Sequence, residues 1–144
     1  MASVKRSVLL EYSAQQMYAL VERVEDYPDF LPWCSEVDVQ RGGGNDEILA
    51  KMSLNFHGFR QSFTTRNKNV EPESITMTLA SGPFKKLNGR WTFKSLRPDA
   101  CKVELDLEYD LSGHLLEAMI SQVFGAIANS YVDSFCQRAK TVYG

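Results

Sequence analysis

Apolar and polar side chains alternate with period two through the middle of the chain, the pattern of strands that bury one face. Between Glu47 and Phe56 the apolar set is Ile48, Ala50, Met52, Leu54 and Phe56. Ile75, Met77 and Leu79 repeat it. So do Leu87, Trp91 and Phe93, with Gly89 between them and Lys86, Arg90 and Lys94 on the other face. The cleanest run sets Cys101, Val103, Leu105, Leu107, Tyr109 and Leu111 against Lys102, Glu104, Asp106, Glu108 and Asp110. A greasy face backed by a charged one specifies a sheet wet on one side only, hence an antiparallel sheet. Turn signals separate the runs: Gly42-Gly43-Gly44-Asn45-Asp46, His57-Gly58, Glu71-Pro72-Glu73, Ser81-Gly82-Pro83 and Arg97-Pro98-Asp99. Weaker strands over residues 4–12, 37–41 and 59–70 bring the count to about seven, joined as a meander of hairpins.

Two segments carry the helical period instead. Ser13 is a good N-cap for a helix over residues 14–24, and Gln16 completes a capping box. The following stretch, Tyr27 to Trp33, contains two prolines and reads as irregular. The second helix, residues 115–142, is about 28 residues and so roughly 42 Å long. Leu116, Ile120, Phe124, Ala128, Val132 and Cys136 form one apolar row at spacing four; Met119, Val123, Ile127, Tyr131, Phe135 and Ala139 form the next. Glu117, Ser121, Gly125, Asn129, Asp133, Gln137 and Thr141 make a polar row along the whole length, so the helix is amphipathic and not a membrane span.

One amphipathic helix and one single-faced sheet must bury their faces against each other. With about seven strands and one long helix to cover them, the sheet has to curl around the helix. Any gap between the two layers is lined by Trp, Phe, Met and Ile, as apolar ligand pockets are. The 144 residues form a single domain, 1–144, large enough to be stable without disulfides or metal.

A formal charge of −2 argues against a protein that coats nucleic acid by bulk attraction, while leaving room for a local basic patch. Cys34, Cys101 and Cys136 are odd in number and far apart. They show no zinc spacing or secretory framework and read as small buried hydrophobes. Residues 1–12 hold Lys5 and Arg6 but no apolar core long enough for a signal peptide, so the expected location is cytoplasmic.

The segment Tyr27-Pro28-Asp29-Phe30-Leu31-Pro32-Trp33-Cys34 resembles the signature of the coenzyme Q-binding proteins, bacterial and mitochondrial, of the START-like (polyketide cyclase) superfamily. Ser62-Phe63-Thr64-Thr65-Arg66-Asn67, Gly82-Pro83-Phe84-Lys85-Lys86-Leu87 with Gly89 and Trp91, and the closing Arg138-Ala139-Lys140 resemble the bacterial branch, which includes ribosome association toxins. These motifs occur in order along nearly the whole chain. The resemblance implies an α+β helix-grip (START/Bet v1-like) fold with a hydrophobic tunnel. It also implies one of two activities: ubiquinone binding in support of respiration, as in the mitochondrial members, or binding to the large ribosomal subunit that blocks its joining to the small one.

The expected ligand contacts are Phe30, Leu31, Trp33 and Phe84 at the mouth, Trp91 and Phe93 on a strand, and Val123, Ile127 and Tyr131 on the long helix. The plainer reading of the Tyr27–Trp33 aromatics is that they cap the core under the first helix. Between Ser74 and Pro98 there is no acidic residue, and Lys85, Lys86 and Arg90 are the expected contacts to rRNA phosphates or, transiently, to anionic lipid head groups. The alternative is a solvated strand face, neutralised by Glu104, Asp106 and Glu108 if those strands are neighbours. His57 and His114 have no partner resembling a triad, metal site or general-base pair, and the glycine run leads into a strand, not a phosphate-binding helix. The expectation is a non-enzymatic carrier that needs no cofactor and takes ubiquinone as ligand. An aromatase/cyclase-like enzyme, the third class, would need a cavity Asp, His or Arg.

Overall fold

The strands that the alternation predicts form one antiparallel sheet. In chain order they are β1 (Ala2–Leu10), β2 (Cys34–Gln40), β3 (Glu47–Phe56), β4 (Phe59–Val70), β5 (Ser74–Ser81), β6 (Lys86–Arg97) and β7 (Ala100–Asp110). The computed structural model describes residues 2–41, 47–56, 59–111, 113 and 117–144. The Gly42–Asp46 and His57-Gly58 turns, His114, and the expected start of the long helix at Leu115 and Leu116 lie outside them. The sheet order is β1-β7-β6-β5-β4-β3-β2, so β2 to β7 are the expected meander and β1 closes on the far side of β7. β2 starts earlier than the alternation indicates, because a bulge after Cys34 shifts the register that sequence periodicity relies on.

The first helix, α1 (Ala14–Glu22), is closed at its start by the expected box: the Gln16 amide donates to Ser13 Oγ at 3.0 Å and the Ser13 amide donates to Gln16 Oε1 at 2.9 Å. A 3₁₀ turn, Val24–Asp26, leads into α2 (Tyr27–Phe30), so the Tyr27 to Trp33 stretch is not wholly irregular. Pro28 falls in the first turn of α2, where its missing N–H had no intrahelical partner to lose. Leu31 is extended, as a residue before proline must be, and α2 ends there.

The long helix, α3 (Glu117–Tyr143), settles which apolar row faces inward, and the answer is both. Ile120, Phe124, Ile127, Ala128, Tyr131, Val132, Phe135 and Ala139 are buried. At about 100° per residue a spacing-four row turns by roughly 40° each step. The row through Ile120 therefore leaves the inner face as the row through Ile127 enters it. Met119, at 45% exposure, and the half-buried Cys136 mark the ends where their rows have turned away.

Two contacts fix the C-terminal half of α3. Arg6 on β1 donates to the Asn129 carbonyl and to Asp133 Oδ1 (2.8 Å), and the Tyr143 hydroxyl donates to the Gln16 carbonyl at 2.9 Å. The backbone of α3 comes close chiefly to β1 and α1. Across the central strands the space is bridged by side chains, above all Trp91, Tyr131, Phe135 and Tyr27 in edge-to-face contact at centroid distances of 5.3–6.1 Å. Since the cap satisfies an otherwise orphaned N–H, Ser13→Ala is expected to lower stability by about 1 kcal/mol, read as a lower urea midpoint at unchanged m-value.

Candidate functional site

The space between α3 and the sheet does not close completely. A cavity of about 40 Å³ remains, walled by Trp33 just before β2, Met52 and Leu54 of β3, Phe63 and Thr65 of β4, Met77 of β5, Leu87 of β6, Leu105 and Leu107 of β7, and Phe124, Ile127, Ala128 and Tyr131 of α3. Alternation explains the strand residues, since each sits on the inner face of its strand. Gly89 lowers the floor: a Cβ there would come within 2.7 Å of Met77 Cε and 3.0 Å of Leu107 Cδ1. Next to it lies a smaller cavity of about 10 Å³, bounded by Gln61, Pro83, Phe84, Ile120 and Val123 and sharing Leu54, Phe63 and Phe124 with the first. The rings of Phe63, Phe84 and Phe124 meet edge to face between the two, with centroids 4.9–6.1 Å apart. Gly82, at φ +150°, brings its turn so near that a Cβ would lie 2.7 Å from Phe63 Cβ.

No side chain in the main wall carries a charge. The Tyr131 and Tyr27 rings meet edge to face, 6.1 Å between centroids, and the Tyr27 hydroxyl donates to the Val21 carbonyl; burial pushes both phenols above the usual range, so both are neutral. Burial likewise pushes the Cys34 thiol up to about 11, a poor nucleophile. Thr65 donates to Asn67 Oδ1 at 2.8 Å, which satisfies a polar pair buried on the inner face of β4. The indole Nε1 of Trp33, in the wall, and that of Trp91, behind Tyr131, are buried with no hydrogen-bond partner.

The expected ligand residues divide into four groups. Trp33, Ile127 and Tyr131 line the main cavity, and Phe84 and Val123 the smaller one. Trp91 and Phe93 stack behind, 6.2 Å apart and 9° from parallel. Leu31 is fully buried in the core, and Phe30 packs on Phe135 beneath the Arg138 guanidinium, 4.9 Å from its ring. The sequence reading missed Met52, Leu54, Phe63, Thr65, Met77, Leu87, Leu105, Leu107, Phe124 and Ala128 as cavity residues. Their signal was only that of inner-face positions, shared with every core residue.

Of the expected surface contacts, Lys86 and Arg90 lie on the outer face of β6, opposite Asp110 and Asp106 of β7. Lys85 is exposed just before β6, with its amide donating to the Asp110 carbonyl at 2.7 Å. The adjacency that would let β7 neutralise β6 is therefore real. Among the described residues, no helix is long and apolar enough to cross a membrane.

A sheet curled round one long helix over an apolar cavity defines the helix-grip class, and solved structures share it. The Zhui aromatase/cyclase from Streptomyces sp. R1128 superposes with a TM-score of 0.81 at 14% identity, covering 96% of this chain and 93% of its own. The family model described as "Polyketide cyclase / dehydrase and lipid transport" matches residues 10–136, and the chain belongs to that family. A curated relative from Pseudomonas aeruginosa named "Ribosome association toxin RatA" is 44% identical over 141 residues, 98% of this chain and 97% of that protein. The mitochondrial "Coenzyme Q-binding protein COQ10" of Dictyostelium discoideum is 25% identical, over 94% of this chain and 67% of that protein.

At pH 8 the buried Cys34 is expected to resist a thiol reagent in the folded protein and to react once denaturant is added; peptide mapping of the label checks this.

Proposed function

We propose that this chain is a non-catalytic binding protein for a neutral, elongated apolar ligand of the prenylquinone class, with ubiquinone the first candidate. One observation carries this reading: an uncharged cavity between α3 and the sheet, apolar on every side, with Trp33, whose buried indole N–H has no partner, among its wall residues. An acid head group would find no cation among those wall residues, and acid–base chemistry would find no group that titrates near neutrality. A quinone carbonyl or methoxy oxygen, by contrast, accepts from the Trp33 indole N–H once the ligand has parted the wall, and that donor is costly to leave unmade. An isoprenoid tail contributes through burial at roughly 25 cal/mol per Å² before ordering costs.

At about 40 Å³ the cavity is far smaller than the roughly 300–1,000 Å³ of a drug-sized site, so the ligand has to open it. The wall supplies the means. Met52 and Met77 are unbranched and repack easily, and the Phe63, Phe84 and Phe124 rings separate the cavity from its smaller neighbour by edge contacts alone.

Titration with ubiquinone is expected to quench tryptophan fluorescence saturably. Trp33→Phe, which removes the donor and keeps the ring, should weaken binding roughly three- to tenfold, the worth of one neutral hydrogen bond. Ala128→Leu fills the cavity and should abolish binding while leaving the thermal midpoint unchanged or raised. Saturable quenching of equal affinity in Ala128→Leu would place the ligand elsewhere and sink the reading.

A second reading is a cytoplasmic regulator that associates with the large ribosomal subunit. The 44% identity to a relative named for ribosome association favours it. Added to dissociated subunits before magnesium is restored, the protein is expected to hold them apart in a sucrose gradient; full recovery of joined ribosomes at saturating protein would remove this reading.

A further inference from the structure

The outward positions of β4, β5 and β6 divide sharply from those of their neighbours. From residue 60 to 70 of β4 they are Arg60, Ser62, Thr64, Arg66, Lys68 and Val70; on β5, Thr76, Thr78 and Ala80; on β6, Lys86, Asn88, Arg90, Thr92 and Lys94. No carboxylate interrupts the three strands. The register aligns them into cross-strand rows, Lys68–Thr76–Arg90 and Arg66–Thr78–Asn88. Acid predominates on both sides: Glu104, Asp106 and Glu108 beside Lys102 on β7, and Glu47, opposite Lys68, beside Lys51 on β3, with Glu36 and Asp38 on β2. A chain with a formal charge of −2 thus carries a segregated cationic band on its convex face.

Cross-strand neutralisation does not consume the band. Arg66 pairs with Glu47 at 3.3 Å, but Lys68, Lys86, Arg90 and Lys94 make no ion pair among the described residues. Arg90 has Asp106 directly opposite in register and still does not bond it. Lys94 faces Lys102, which is itself bonded to Glu104 on its own strand at 3.1 Å. Four hydrated cations on a rigid sheet have lost little rotamer freedom to one another, and an external anion can take all of them.

We infer that this band docks on the phosphate backbone of structured RNA. Phosphate contacts draw on Arg and Lys together with Ser, Thr and Asn, and here Asn88 and Thr92 stand between the cations of β6. Lys86 to Lys94 spans eight residues, roughly 27 Å, and Lys68 to Arg90 two strand spacings, roughly 10 Å. That footprint reaches several phosphates on a convex surface, which fits the wide, shallow minor groove of an RNA helix. An anionic bilayer fits less well. The positions between the cations are mainly hydroxyls and an amide; the exposed Val70 and Leu96 stand at the ends of β4 and β6, outside the span of the cations, and Leu9, Met119 and Val142 lie on other elements. The inference rests on the ribosome reading and deepens it by naming the surface: Lys68, Arg66 and Lys94 join the expected Lys86 and Arg90.

Purified large ribosomal subunits are the probe, with the protein pelleted through a sucrose cushion at several salt concentrations. Wild-type protein is expected to co-pellet, with affinity falling steeply as salt rises. Lys68→Ala and Arg90→Ala should each reduce the slope of log affinity against log salt by about 1. The triple variant Lys68→Glu, Lys86→Glu, Arg90→Glu should lose roughly tenfold or more in affinity. Lys5→Glu, on the same outer face but beyond β7, should bind as wild type. Circular dichroism and thermal midpoints confirm that each variant is folded. If wild-type protein fails to pellet, the ribosome reading and the inference fall together. If it pellets and the folded triple variant pellets equally, the inference alone is overturned. Loss of binding to phosphatidylglycerol vesicles with retained subunit binding would overturn it too, in favour of a membrane surface.

Discussion

Everything in this structure follows from a mismatch of widths. Seven strands at about 4.8 Å spacing make a sheet roughly 29 Å across, and a single helix covers roughly 10–12 Å of it. The right-handed twist of antiparallel strands lets the sheet curl toward the helix, but α3 still lies close in backbone terms chiefly to β1 and α1. Its C-terminal half is tied there, by Arg6 to Asp133 and by Tyr143 to the Gln16 carbonyl. Over the centre of the sheet the distance is spanned by the largest side chains available. Trp91, at 1% exposure, meets Tyr131 and Phe135, and Tyr27 and Trp33 complete the set.

Rings bridge a gap without filling it as evenly as interdigitated aliphatic side chains do, and a cavity remains where α3 stands off β3 to β7. The cavity is uncharged for the same reason that it exists: it is the unfilled part of a core, walled by inner-face positions. The polar groups of the residues around it are the Thr65 hydroxyl, bonded to Asn67, the Tyr131 phenol and the unpaired Trp33 indole. The strands that wall it carry a different chemistry on their reverse. Phe63, Thr65, Met77 and Leu87 face the interior, while Arg66, Lys68, Lys86 and Arg90 on the same strands face solution. Period-two geometry allows one set of strands to serve both a ligand and a surface partner without either compromising the other.

Much of this was legible in the residues. The alternation in β3, β5, β6 and β7 identified each inner face, and Ser13 with Gln16 placed the start of α1. The division of α3 into two apolar rows was correct, but a spacing-four row is not a fixed direction on a helix with 3.6 residues per turn, so neither row alone was the buried face. The helical turn at Tyr27–Phe30 was missed because two prolines suggest irregularity, whereas a proline in a first turn is compatible with a helix. The buried Thr65 and Asn67 were missed because β4 is polar on both faces and shows no contrast. The pairing of β3 with β4 sets Thr65 opposite Ala50 and Asn67 opposite Ile48, both on the inner face. Which core residues border a cavity was not legible at all, since that depends on how far the helix stands from the sheet.

The gap between α3 and the sheet is, as proposed, a binding site for a neutral apolar molecule. Mass spectrometry of an organic extract of the purified protein, followed by reloading of the stripped protein with ubiquinone, tests it most directly. A prenylated quinone or similar neutral lipid recovered in near-stoichiometric amount, and taken up again by wild type but not by Ala128→Leu, is the predicted result. An extract with no lipid, from protein that also fails to take up quinone, would contradict it.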